Sequence, residues 1–507
     1  MIRSLALLGL AVSAAACGGA SAATSGPAKV DIPVPDTTLA KKRAARGATR
    51  ESPPSSGAAK ESPFPAVKRV TLPNGLGVAV VTSRTLPVVQ VRVLVRAGSG
   101  YGEPGVANAT AQMLKDGGAG GLSSAELLRR VETLGANLGV STDFDSTVLS
   151  TAVTKDNLGE ALSLLSQTVR QPRFDERELK KLKSRLSDEA EDNARSSGAW
   201  TAAHVVFKEL MPAKSPYATY DALPSEIAKI NGASVRAFHR KFYVPKATTV
   251  VLAGDVDEAT AKQLVAAHFG AWTGGAPPKV EVPDAVPPKG RRVVVCHRPK
   301  SVQSDIYLAM LGPARATPGW AHVRVANHVL GGGVASRLFS DVREQRSLAY
   351  STRSSIVELA HGRQPILAYA GTQTAKTVQA VAGLVENVEK IAATGVHTDE
   401  NATARRYLSD IFAIRMETIG SIADMVVTQD TLSLPDGYWD AYRKEVRETE
   451  TVQATEAAHK TFDAKNAVLV VAGDADSIAA PLAAYGEVTV VDPEAEFKVL
   501  RTVPAKK

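Results

Sequence analysis

The sequence predicts an α+β protein built from two similar domains behind an N-terminal tether. Three observations carry that expectation. From residue 67 onward, short alternating apolar runs are interleaved with stretches of helical periodicity. The run Val251-Leu252-Ala253-Gly254-Asp255-Val256-Asp257 returns as Val470-Val471-Ala472-Gly473-Asp474-Ala475-Asp476, and an apolar helical stretch follows both copies. That spacing is a duplicated domain, since solenoid units repeat every 20–50 residues. Finally, residues 18–65 are mostly Ala, Ser, Pro, Gly and Lys, a composition that buries too little apolar surface to offset its ordering entropy.

Composition removes several function classes. The 507 residues, 44% hydrophobic and 22% charged, suffice for two or three domains. A net charge of +8 is spread along the chain, with no dense block to mark a nucleic-acid surface. Two cysteines make neither a disulfide framework nor a Cys-rich zinc site. One of them, Cys296, ends the apolar run Val293-Val294-Val295 and is expected to be a small buried hydrophobe.

The elements follow in order. Around Asn74-Gly75, residues 68–81 read as strand, tight turn, strand, and 88–95 as the next strand. Helices are expected over 106–114, 124–134 and 158–170, the second opened by the capping box of Ser123 and Glu126. Residues 138–153 read as strand, and 176–193 as a charged, partly exposed helix. A Pro/Gly-rich linker, 276–289, separates domains at 66–275 and 290–493, with 494–507 left as a tail.

The start reads as an export signal over residues 1–17. Arg3 supplies a positive charge, residues 5–12 a short apolar core, and Ser13-Ala14-Ala15-Ala16 the small residues before Cys17. This resembles the bacterial lipoprotein signal, which implies acylation of Cys17 and a lipid anchor; a plain signal peptide is the alternative. Gly18 after the cysteine favours the outer membrane, facing the periplasm. Lys41-Lys42-Arg43 in the tether either touches anionic headgroups or keeps the tether solvated.

The residues Leu72-Pro73-Asn74-Gly75, Val95-Arg96-Ala97-Gly98-Ser99 and Gly105-Val106-Ala107 resemble the N-terminal half of the insulinase (pitrilysin) family, which includes the mitochondrial processing peptidases. Leu330-Gly331-Gly332-Gly333, Ser336-Arg337-Leu338-Phe339, Arg343-Glu344 and Leu348-Ala349-Tyr350-Ser351 resemble its C-terminal domain. The resemblance implies two homologous α/β sandwich domains, each an antiparallel-rich sheet with helices on one face. It also implies a zinc helix with the pattern H-x-x-E-H and a glutamate ligand downstream. Here the pattern is Asn108-Ala109-Thr110-Ala111-Gln112, with Glu189 at the downstream position. Amides are poor zinc ligands and Ala111 is no general base, so this chain is expected to bind no metal. None of its nine histidines forms an i, i+4 pair.

The resemblance also assigns Arg343 and Tyr350 to reach substrate at a zinc site, where a phenol and a guanidinium suit the oxyanion of peptide hydrolysis. The plain structural alternative pairs Arg343 with a nearby acid and buries Tyr350 in a strand. Ser347 stands where the family usually has glycine. The three glycines lack a P-loop's following Lys-Ser/Thr and are expected, by resemblance, to form a flexible loop beside the substrate chamber. Two domains make half of the family's chamber. The expected function is therefore the non-catalytic subunit of a heterodimeric zinc peptidase acting on peptides in the periplasm, zinc residing in a homologous partner. The alternative is an envelope scaffold or peptide-binding protein.

Overall fold

Alternating apolar runs become two sheets in the computed structural model, which describes residues 62–506. The first contains β1 (Lys68–Thr71), β2 (Gly77–Thr82), β3 (Val88–Val95), β4 (Gly139–Thr142), β5 (Thr147–Thr154) and β6 (Thr248–Gly254), in the order β1-β2-β6-β3-β5-β4. The second contains β7 (Arg292–His297), β8 (Gln303–Ala314), β9 (Ala349–Ile356), β10 (Arg363–Gln373), β11 (Val468–Gly473), β12 (Val488–Asp492) and β13 (Lys498–Val503), in the order β13-β12-β7-β11-β8-β10-β9. The repeated Gly-Asp runs end corresponding strands: β6 lies parallel to β2, and β11 parallel to β7.

Among the described residues, eight helices belong to the first half: α1 (Val106–Asp116), α2 (Ser124–Thr133), α3 (Leu158–Arg170), α4 (Glu176–Ser196), α5 (Gly198–Leu210), α6 (Pro224–Lys229), α7 (Gly232–Phe242) and α8 (Glu258–Phe269). Seven belong to the second: α9 (Trp320–Gly331), α10 (Thr377–Thr394), α11 (Thr398–Arg415), α12 (Ile419–Thr431), α13 (Tyr438–Glu448), α14 (Thr451–Thr461) and α15 (Ala475–Leu482). The capping box at Ser123 is formed, with Glu126 bonded back to the Ser123 N–H at 2.8 Å.

Each sheet lays one face on its own helices, as the fold class implies. The opposite face is covered too, by one helix from the other half. On β3, Val89, Val91, Val93 and Val95 face the first half's helices, while Leu94 packs on Ile422, Ala423 and Val426 of α12. On β7, Val293 and Val295 face the second half's helices, while Val294 and Cys296 pack on Ala202, Val205 and Val206 of α5. Burial on both faces explains the continuous apolar runs of the central strands β6, β7 and β11. The exchange is reinforced by Arg92, whose Nε donates to Asp424 Oδ1 at 2.8 Å, and by the Cys296 thiol, which faces the Thr201 carbonyl at 3.7 Å. Burial holds that thiol well above its usual pKa.

Three boundaries differ from the sequence reading. Residues 138–153 form a hairpin, because Asp143 Oδ1 accepts from the Asp145 and Ser146 amides (2.8 and 2.6 Å) and closes a turn between β4 and β5. The tail contains β13, paired antiparallel with β12, so the second sheet runs past residue 493. Ser62 to Pro65, assigned to the tether, are docked: the Phe64 N–H donates to Asp440 at 2.9 Å and its ring meets Trp439. Signal, Cys17 and the Lys41-Lys42-Arg43 cluster lie outside the described residues.

Candidate functional site

The five residues at the position of the expected zinc pattern, Asn108 to Gln112, lie on α1. Gly105 precedes it at φ +77°, a left-handed conformation that glycine takes without strain, and Gly319 stands at φ +80° before α9 in the second half. Asn108 and Gln112 are half-buried one turn apart, and Ala111 is fully buried. Glu189 projects from α4 and is exposed. The described residues contain no group of three or more His, Cys, Asp or Glu side chains able to hold a metal. Two amides, an alanine and one carboxylate do not fit zinc.

Arg343 and Tyr350 are brought together by three departures from regular backbone within twelve residues. Phe339–Gln345 is a π-helical turn, closed where the Arg346 N–H reaches the Asp341 carbonyl at 3.0 Å. Ser347 is left-handed at φ +50°, the conformation for which glycine is suited. Finally, Ala349 and Ser351 pair with the consecutive residues Thr372 and Gly371, so Tyr350 is the extra residue of a β-bulge. Bulges and π-turns cost ladder bonds and recur where a side chain must be aimed.

What they aim is a phenol and a guanidinium. Tyr350 is 85% exposed, the most exposed large hydrophobic side chain among the described residues. Arg343 lies 5.2 Å from the centre of its ring and 4.6 Å from that of Phe339, so the guanidinium is held between two aromatic faces. Its carboxylate neighbour, Glu344, is adjacent in sequence and 3.6 Å away. Arg343 thus has the acid of the structural alternative, but Tyr350 is not a core residue.

The frame under the pair is anchored by buried side chains and hydrogen bonds. Val342 and Leu338 are fully buried. Arg337 makes a two-pronged bond to Glu400 at the start of α11, 2.7 Å to each oxygen, and a third bond to the Gly395 carbonyl at 2.8 Å. Lys376 Nζ donates to the Ser347 carbonyl at 2.9 Å, and Thr372 Oγ1 to that of Leu348 at 2.5 Å. The expected flexible glycine loop is instead a packing device over its first two residues. A Cβ on Gly331 would overlap the Ser354 amide, so this glycine lets the end of α9 press against β9, and one on Gly332 would meet the His328 ring one turn back on α9 itself.

Sequence reasoning missed Asp145. It is buried in the β4–β5 turn and accepts from Tyr217 OH at 2.6 Å and from the Ala360 amide at 2.8 Å. Ala360 belongs to the turn joining β9 to β10, so a first-half carboxylate holds the hairpin that carries Tyr350. Burial raises its pKa to about 6, against the two hydrogen bonds that lower it, and nearby Asp143 adds to the rise. The signal was the Asp143–Asp145 pair in a turn, which has no catalytic spacing. His328, six residues from His322, stacks on Tyr407 at 4.6 Å, and burial lowers its pKa to about 4.

A family profile described as Insulinase (Peptidase family M16) matches residues 78–213, and one described as Peptidase M16 inactive domain matches 229–408. The chain belongs to the insulinase family. A Bacillus subtilis relative named "Uncharacterized zinc protease YmxG" is 23% identical over 70% of this chain and 86% of its own length. Two Helicobacter pylori relatives match as well. "Non-peptidase homolog YmxG" is 26% identical over 69% of this chain and 81% of its own, and "Zinc protease PqqE" is 22% identical over 74% and 87%. Among solved structures, the peptidase M16 inactive domain from Pseudomonas fluorescens superposes at TM-score 0.75 with 26% identity, covering 80% of this chain and 98% of that one.

Proposed function

We propose that this insulinase-family chain is the non-catalytic subunit of a two-chain zinc peptidase, lending Arg343 and Tyr350 to a zinc site carried by a homologous partner. The observation that carries the reading is the aimed pair: an almost fully exposed phenol on a bulge, with a guanidinium stacked on it. Hydrolysis of a peptide puts negative charge on the carbonyl oxygen, and a phenol O–H is a good donor to it. The guanidinium also bonds the neighbouring backbone carbonyls of bound peptide. A scaffold or simple peptide-binding protein of the envelope, the alternative, has no use for such a costly arrangement. Relatives named as a zinc protease and as a non-peptidase homologue in one organism, Helicobacter pylori, suit a division of labour.

The test is to co-purify the chain with an H-x-x-E-H-bearing family member of the same genome and follow cleavage of a quenched peptide. Tyr350→Phe should lower turnover on the order of 10²–10³-fold, as for loss of one oxyanion donor. Arg343→Ala should raise KM as well. Alone, the chain should contain no stoichiometric zinc and cleave nothing. One tightly held zinc per chain with chelator-sensitive activity, or wild-type rates from both variants in the complex, sinks the proposal.

The proposed location is the periplasmic face of the outer membrane, through acylated Cys17. Cys17→Ser should release the protein from membranes or block its processing, and labelled palmitate should be lost. A wild-type protein that fractionates wholly as soluble leaves only the plain signal peptide.

A further inference from the structure

The segment carrying Arg343 is strapped to α10 through Asp341 and Arg346. Asp341 Oδ2 accepts from Asn387 Nδ2 at 2.6 Å, and Asp341 Oδ1 from Arg346 Nε at 2.9 Å. Its own carbonyl receives the Arg346 amide that closes the π-turn. Asn387 is buried in α10, and its Nδ2 also donates to the Gly383 carbonyl at 2.8 Å. Arg346 is pinned a second time by Glu386, at 2.7 Å. Next to this knot, Val342 seats against Gly383, where an added Cβ would lie 3.1 Å from a Val342 methyl.

A π-turn is a short element whose wider backbone ring forfeits contacts a regular helix would make. It needs a tertiary constraint, and here both of its ends are tied to Asp341, through its carboxylate and its own carbonyl. The Arg346 side chain and backbone fix the C-terminal end, and the α10 amide fixes the N-terminal end. Arg343 lies between them, so its Cα and first rotamer are set by the turn. Without the knot the segment would relax toward ordinary helical spacing, which rotates residue 343 away from the ring of Tyr350.

We propose that Asp341 is the positioning residue of this site, holding the π-turn that stacks the Arg343 guanidinium on Tyr350. The proposal rests on reading Arg343 and Tyr350 as the working pair, and its test separates the two.

The first measurement needs no partner. In protein labelled with 3-fluorotyrosine, Tyr350→Phe identifies the Tyr350 resonance, and Arg343→Ala should move it because the cation leaves the ring. Asp341→Ala should move it the same way, and the Asp341→Ala/Arg343→Ala double variant no further. Asp341→Asn, which keeps an acceptor for Asn387, should fall between. The second measurement is the double-mutant cycle in the active complex. Asp341→Ala should cost roughly tenfold in kcat/KM, mainly through KM, and nothing further in the Arg343→Ala background. A merely structural role predicts additive losses.

If Arg343→Ala shifts the resonance and Asp341→Ala leaves it at the wild-type position, Asp341 does not position the pair and the inference is overturned. If Arg343→Ala itself leaves the resonance unmoved, the stacked pair does not exist in solution and the functional reading falls with it. Asp341→Ala that melts like wild type yet moves the resonance is the supporting result. Should that variant fail to fold, Asn387→Ala removes the same strap from the other side and must reproduce the shift.

Discussion

The two halves share a plan and have treated their site positions in opposite ways. In the first half, α1 is a regular helix: Ala111 is buried, and Asn108 and Gln112 are half-buried amides. In the second half, residues 339–350 keep a π-turn, a left-handed serine and a bulge, and leave a phenol in solvent. Irregular backbone costs roughly 1–3 kcal/mol per strained residue and persists only where the surrounding contacts hold it. One half presents its residues on regular backbone, the other on backbone bent by contacts with distant parts of the chain.

The sharpest way to break this contrast is to put a general base back into α1. Ala111→Glu places a carboxylate where nothing is exposed, so it should cost about 3 kcal/mol or more in denaturant unfolding. Unchanged stability would mean the α1 position is still an open site.

The next largest effect concerns the clasp joining the halves. Asp145 holds a proton more readily when folded, at about 6, than in an unfolded chain, near 3.8. Stability should therefore rise as pH falls through about 6 and level off below the unfolded value, a gain on the order of 2–3 kcal/mol. Asp145→Asn keeps an acceptor for the Ala360 amide, turns its Nδ2 donor toward the Tyr217 oxygen, and should remove that part of the pH dependence. Chemical denaturation from pH 4 to 8 would reveal an unchanged slope if the carboxyl is not the cause.

The smallest effect is the most specific to residues 339–350. Ser347 occupies a left-handed position that costs a side chain with a Cβ about 1 kcal/mol. Ser347→Gly should raise stability by roughly that amount, less the glycine's extra unfolded-state entropy. A loss of stability would show that the serine makes a contact worth more than the strain.

Much of the fold was legible because it is local. The Asn74-Gly75 turn, the Ser123 capping box, the helix over 158–170 and the repeated Gly-Asp strand ends are set by residues a few positions apart. The missing zinc pattern was legible for the same reason, since ligands on one helical face lie four residues apart. The apolar runs at 250–253, 293–296 and 468–472 also held the signal for strands covered on both faces, although not for what covers them.

The sequence by itself determined that there are two copies of one plan, that α1 offers zinc no ligands, and that an arginine and a tyrosine stand seven residues apart. It could not decide whether those two meet. In an unbroken strand Tyr350 would alternate with its neighbours, and in an ordinary helix Arg343 would point elsewhere. Only the tertiary structure added the bulge, the π-turn and the exchanged helices. Each depends on partners far away in the chain: Thr372 and Gly371 for the bulge, Asn387 for the turn, Ala360 for Asp145 and Asp424 for Arg92. Local propensity specifies an element. The departures that aim side chains are decided by contacts formed after the elements pack.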